Sequence, residues 1–229
     1  YASQILLNPR ADSLQGFKRE WLKHYQNIGE GWKRMTRYLL VAPASSKKKG
    51  SDYTCMWIVG LATDGNRYVL DIIRDRLSLT ERADRVFELH RRWKPYEVRY
   101  EKYGLQADIE HIEARQETEN YRFKVTEVGG QTRKPDRIGR LIPLFEKGEI
   151  YLPRSLHKTN YEKSTQDLIQ VFIEEEYAAF PVGLHDDMLD ALARIEEPDL
   201  HLTWPKEQKT QIDPPKIFHR QNAQTAWMM

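Results

Sequence analysis

The stretch 53–73 constrains this chain most: two runs rich in β-branched and aromatic residues, 53–62 and 67–73, are joined through Asp64-Gly65. Asp-Gly between such runs reads as a tight hairpin turn, because both residues tolerate the positive φ that matches the right-handed twist of the strands. Upstream, Tyr38-Leu39-Leu40-Val41 is a short continuous apolar strand that Ala42-Pro43 ends. Downstream, Thr80 is placed to cap a helix over 81–93, with Ala83, Val86, Phe87 and His90 on one face and Pro95 as its stop. A strand over 96–100 ending at Glu101, a helix over 105–119 and a strand over 121–127 follow. Three strands that can pair antiparallel, followed by strand–helix–strand units, imply an α/β fold: a mixed five-stranded sheet with helices on both faces.

The 229 residues, 40% hydrophobic and 31% charged, suffice for one sizeable domain with extensions. Residues 1–30 read as a helical lead-in, with Leu14, Phe17, Trp21 and Leu22 at helical spacing after Asn8-Pro9. The domain proper is expected over 31–197. The tail, 198–229, carries Pro198, Pro205, Pro214 and Pro215 among polar residues and reads as irregular. No apolar run reaches membrane-spanning length and no N-terminal signal pattern is present, so no membrane partner is expected. The single cysteine, Cys55, excludes an intrachain disulfide and a Cys-based zinc site; in an apolar strand it reads as a buried inert thiol, which fits a reducing cytoplasm.

The chemistry concentrates at His185, Asp186, Asp187 and Asp190, at the start of a helix whose apolar stripe is Met188, Leu189, Leu192 and Ile195. The i,i+3 and i,i+4 spacings put the acids on one side of the first turns. Grouped carboxylates repel one another unless a cation neutralises them, and hard divalent ions prefer carboxylate oxygens, so Mg²⁺ or Mn²⁺ is the expected partner. The plainer alternative, acids favouring the positive end of a helix dipole, accounts for one or two of them. Glu101 ends a strand, where sites form in open sheets, and is the second candidate ligand.

Net charge is only +2, but it is unevenly spread. Lys33, Arg34, Arg37, Lys47, Lys48 and Lys49 meet no acid between 31 and 49; Arg122, Lys124, Arg133, Lys134, Arg137 and Arg140 meet only Glu127 and Asp136. Residues 172–199 hold nine acids against Arg194. Basic surfaces beside an acidic pocket suit an enzyme that grips a polyanion; for Lys47, Lys48 and Lys49 alone, a solvated loop is the simpler reading.

Several motifs together resemble one family. They are Val41-x-Pro43-Ala44-Ser45, Ser51-Asp52-Tyr53-Thr54, Tyr100-Glu101-Lys102-Tyr103-Gly104, Lys134-x-x-Arg137-Ile138 and Phe180-Pro181-x-Gly183-x-His185-Asp186-Asp187-x-x-Asp190-Ala191-Leu192. The pattern, over about residues 4–195, resembles the nuclease domain of tailed-phage terminase large subunits, and residues 1–30 resemble the end of the packaging-ATPase domain before it. The resemblance implies an RNase H-like fold and a metal-dependent endonuclease that cuts concatemeric double-stranded DNA during packaging, in the host cytoplasm, with the portal protein and the small terminase subunit as partners. In that family the first strand ends in Asp followed by Pro-Ala, and the Asp is the central metal ligand; here the residue is Ala42. With the remaining pattern intact, a deliberate Asp-to-Ala replacement explains this better than gradual decay, and the chain is expected to bind metal weakly and cut poorly.

No Gly-x-x-x-x-Gly-Lys-Ser/Thr run occurs, so the chain is not itself an ATP motor. In a two-metal scheme Glu101 and Asp187 are the expected ligands, Asp186 a further candidate and position 42 the lost bridge, with Asp52 and Asp190 supporting. His185 ligates a metal, shuttles a proton or only caps the helix. Lys134, Arg137 and Arg140, with Lys47, Lys48 and Lys49, are the expected phosphate contacts. The rivals are another RNase H-like enzyme, such as a junction resolvase or integrase, and a non-catalytic DNA-binding or assembly module.

Overall fold

The computed structural model describes residues 16–44, 52–102, 106–130, 132–160 and 162–206. In chain order the strands are β1 (Lys23–Tyr25), β2 (Thr36–Ala42), β3 (Thr54–Leu61), β4 (Arg67–Asp75), β5 (Glu97–Glu101), β6 (Val125–Val128), β7 (Ile150–Pro153) and the small hairpin β8 (His157–Thr159) and β9 (Thr165–Asp167). The helices are α1 (Leu79–Trp93), α2 (Gln106–Thr118), α3 (Lys134–Gly139), α4 (Ile142–Glu146), α5 (Leu168–Val171) and α6 (Asp187–Ala193).

The main sheet has seven strands in the order β1-β7-β4-β3-β2-β5-β6. The five expected strands form the contiguous block β4-β3-β2-β5-β6; β3 pairs antiparallel with both neighbours, and the remaining pairings are parallel. The expected count of five is therefore corrected to seven. The two additions, β7 and β1, extend the β4 edge and are only four and three residues long, too short to show an alternation by which sequence could have flagged them.

Strand residues alternate between two cores. Tyr38, Leu40, Cys55, Trp57 and Val59 face one side, with Phe172, Met188 and Leu189. Leu39, Val41, Met56 and Ile58 face the other, with Val86, Phe87, Ile109 and Ile112 from α1 and α2. Because both faces are covered, β2 and β3 read as unbroken apolar runs, and each fully buried large side chain contributes about 1.5–3 kcal/mol. Cys55 is a free thiol, fully buried as expected.

The described part of the expected helical lead-in differs. It forms a 3-10 turn (Arg19–Trp21) and then β1, while Leu14 lies outside the described residues. Phe17 stacks on Tyr177 at 4.7 Å and meets Phe145 edge-on, so these aromatics serve the core of the sheet. Ser78, rather than Thr80, caps α1: its hydroxyl accepts from the Glu81 amide while Glu81 accepts from the Ser78 amide, a capping box. Residues 198–206 have no regular structure but lie against the sheet, where the Thr203 amide donates to the Tyr38 hydroxyl at 2.8 Å. No helix among the described residues is long and apolar enough to cross a membrane.

Candidate active site at the strand ends

Val41 on β2 stands opposite Tyr100 on the parallel strand β5, so the following residues, Ala42 and Glu101, end adjacent strands side by side. α6 packs over β2 and β3 on the same face as Ala42. The result is a cleft of about 290 Å³ lined by Ala42, Pro43, Ala44, Asp52, Tyr53, Glu101, Lys134, Arg137, Asp187 and Asp190. A larger cleft of about 980 Å³ between Tyr25, Lys33 and Tyr68 has one lining carboxylate, Asp64, already bonded to the Tyr68 hydroxyl, so size does not locate the chemistry.

The acids are not left to repel one another. Lys134 places its ammonium 2.6 Å from Asp186 Oδ1 and 3.1 Å from Asp187 Oδ1. Burial lowers the pKa of Lys134, but hydrogen bonds and charge from both aspartates outweigh it and hold the ammonium above its ordinary value. Asp187 Oδ2 also accepts from the Tyr53 amide at 3.3 Å. Asp190 is buried and receives Arg137 in a two-point bond, Nε–Oδ1 2.6 Å and Nη2–Oδ2 2.8 Å. Glu101 pairs with the buried Arg194, which also holds Glu197. Burial pushes the Glu101 carboxyl above its ordinary value, Arg194 opposes the shift, and Asp190 adds to it.

The amides of Met188 and Leu189, the second and third of α6, are those an N-cap side chain normally satisfies. Asp186 occupies the N-cap position without making that bond. Glu176 makes it instead: its Oε2 accepts from Met188 at 2.8 Å and Leu189 at 3.0 Å. Glu176 lies in a π-helical turn (Phe172–Tyr177) that continues α5, and it is fully buried. Burial pushes its carboxyl up to about 7 against the pull of the two amides and of Arg74.

Residues 43–195 match the family model of the terminase RNaseH-like domain. The chain belongs to that family. No curated protein matches the sequence significantly. Among solved structures, the human cytomegalovirus terminase nuclease domain is similar over 77% of this chain and 92% of its own, at 17% identity and a TM-score of 0.52, and its Mn-soaked form is similar at 16% identity and the same score. The large terminase nuclease from thermophilic phage G20c with bound magnesium is similar over 76% of this chain and 89% of its own, at 15% identity and a TM-score of 0.43. At such identities the likeness is one of fold.

Within this terminase domain the expected site residues fall into distinct places. Ala42, Asp52, Glu101, Lys134, Arg137, Asp187 and Asp190 meet at one cleft, and Asp186 joins them through Lys134. His185 lies edge-on to Tyr53, ring centroids 5.8 Å apart. Three expected phosphate contacts are otherwise engaged: Lys134 on Asp186 and Asp187, Arg137 buried on Asp190, and Arg140, which reaches the Glu196 carbonyl at 3.4 Å and the Glu197 carboxylate at 3.9 Å. Lys47, Lys48 and Lys49 lie outside the described residues. Among the described residues no three His, Cys, Asp or Glu side chains are grouped closely enough to hold a metal ion. The contacts explain this: position 42 offers a methyl, and Asp190 and Glu101 face guanidinium groups.

Glu176, Arg74, Tyr53 and Arg194 were not legible as site residues. Glu176 sits in the run Glu174-Glu175-Glu176, and only its place between Phe172 and Tyr177, both buried, sets it apart from its exposed neighbour Glu174.

Proposed function

We propose that this chain is the nuclease domain of a DNA-packaging terminase: a divalent-metal-dependent endonuclease acting on double-stranded DNA, with catalysis suppressed by Ala42. The observation that carries the reading is the convergence of Ala42, Glu101 and Asp187 on one cleft in a chain of the terminase RNaseH-like family. Concatemeric genomes as substrate, the host cytoplasm as the place of action, and a portal protein and small terminase subunit as partners follow from the family.

The donor set fits a hard divalent cation in kind, since Glu101, Asp186 and Asp187 are all carboxylates, but as given it is one ligand short at position 42. Asp187, Glu101 and Asp186 would hold Mg²⁺ or Mn²⁺, and an aspartate at 42 would complete a two-metal site. When bound, the cations supply charge stabilisation and an acidified water for in-line displacement at phosphorus. The chain's own residues set the stage. Arg194 and Arg137 fix Glu101 and Asp190, the Tyr53 amide orients Asp187, and Lys134 offsets the charge of Asp186 and Asp187. Ala42 itself favours a second reading, a non-catalytic DNA-binding or assembly module. The two separate on plasmid cleavage by the Ala42→Asp protein with Mn²⁺.

A further inference from the structure

We infer that Glu176 is a positioning residue: by capping α6 from a separate element, it frees Asp186 and Asp187 to present their carboxylates to the cleft. The inference rests on the nuclease reading and deepens it. An aspartate at an N-cap ordinarily turns its side chain back onto its own helix and spends its oxygens there. Here both amides are already taken by Glu176 Oε2, at 2.8 and 3.0 Å. Asp186 and Asp187 are turned instead onto Lys134.

The capping carboxylate is also tied to the cleft from its far side. Its second oxygen, Oε1, has no hydrogen-bond partner among the described residues; neither has Arg74 Nε, which stands 3.9 Å away. The Arg74 guanidinium stacks on Tyr53, 3.9 Å from the ring centroid. Tyr53 in turn gives its amide to Asp187 and packs its ring nearly perpendicular to that of His185. Glu176 thus sets the turn that carries Asp187, and through Arg74 and Tyr53 it braces the amide that aims Asp187. Outer residues that orient metal ligands in this way typically change activity about 10- to 100-fold when removed.

The test needs no activity for its first arm. In the protein as given, hydrogen exchange at the Met188 and Leu189 amides should be slow, although amides at these helix positions have no intrahelical acceptor. Fast exchange there overturns the inference without any variant. Glu176→Met keeps the volume and removes both acceptors; it should speed exchange at these two amides at least about 10-fold and leave β2 and β3 protected. In the Ala42→Asp background it should lower kcat about 10- to 100-fold and leave KM for plasmid DNA within about 2-fold. Glu176→Gln, which keeps an acceptor, should recover most of that kcat. Unchanged exchange in Glu176→Met, unchanged kcat, or equal losses in Met and Gln overturn the positioning role. If Ala42→Asp alone does not cut, the nuclease reading fails, and the exchange arm still decides whether Glu176 holds the turn.

Discussion

Lys134 holds Asp186 and Asp187 on one ammonium, at 2.6 and 3.1 Å, so the cation that sequence reasoning assigned to DNA phosphates neutralises the acids of its own cleft. A divalent ion and Lys134 must compete for the same oxygens. Lys134→Ala is therefore expected to lower the melting temperature without metal and to show a larger rise on adding Mn²⁺ than the parent, since a ligand that binds only the folded state stabilises it. Thermal shift against MnCl₂ concentration measures this; equal rises in both proteins contradict the competition.

The buried pair of Asp190 and Arg137 predicts a different signature. Removing one partner strands a charge in the interior, at a cost of about 3–5 kcal/mol. Asp190→Ala and Arg137→Ala should each lose this much in urea unfolding, and the double variant much less than their sum. By contrast, Asp187→Ala should cost about 1 kcal/mol, because its partner Lys134 is partly exposed and retains Asp186.

Glu176 predicts a pH dependence with a definite sign. Its folded-state pKa, about 7, lies above the ordinary carboxylate value of 4.5, so the native state keeps a proton that the unfolded chain releases. The stability it contributes is fully present below about pH 4.5 and is lost as pH rises through about 7. Glu176→Gln removes this dependence. The melting temperature of the variant minus that of the parent should become more positive between pH 5 and pH 8, and a difference that stays flat would show the group is not protonated in the native state.

Much of this was legible beforehand because it was local. The hairpin at Asp64-Gly65 and the apolar runs of β2 and β3 follow from patterns that one short segment carries whole, whereas Glu101 and Asp187, distant in sequence, were joined only through the family resemblance. What escaped depends on contacts distant in sequence. β1 pairs with β7 more than a hundred residues away, and three residues hold no periodicity to read. Arg137 resembled a surface cation until the fold set Asp190 against it, and Glu176 was one acid in a run of three until it met the start of α6.

Salt dependence separates the roles of the two basic residues in α3. Each phosphate neutralised on duplex DNA contributes a slope of about −0.9 in log affinity against log salt. With Mn²⁺ present to compete for Asp186 and Asp187, the released Lys134 can meet a phosphate, so Lys134→Ala should then flatten the slope by about that amount on all duplexes alike, whereas Arg137→Ala should leave it unchanged, its guanidinium being committed to Asp190. Fluorescence anisotropy over a salt series decides, and equal flattening by both contradicts the assignment.

The most direct test of the central claim is cleavage of supercoiled plasmid by the Ala42→Asp protein beside the parent, with Mg²⁺, with Mn²⁺ and with chelator. Ala42 ends β2 next to Glu101, so an aspartate there adds a carboxylate to the cleft that Glu101 and Asp187 line. Metal-dependent nicking and linearisation by Ala42→Asp, abolished by a further Asp187→Ala or Glu101→Ala and absent from the parent, is the predicted result. No cleavage by Ala42→Asp with any metal, or equal cleavage by both proteins, would contradict it.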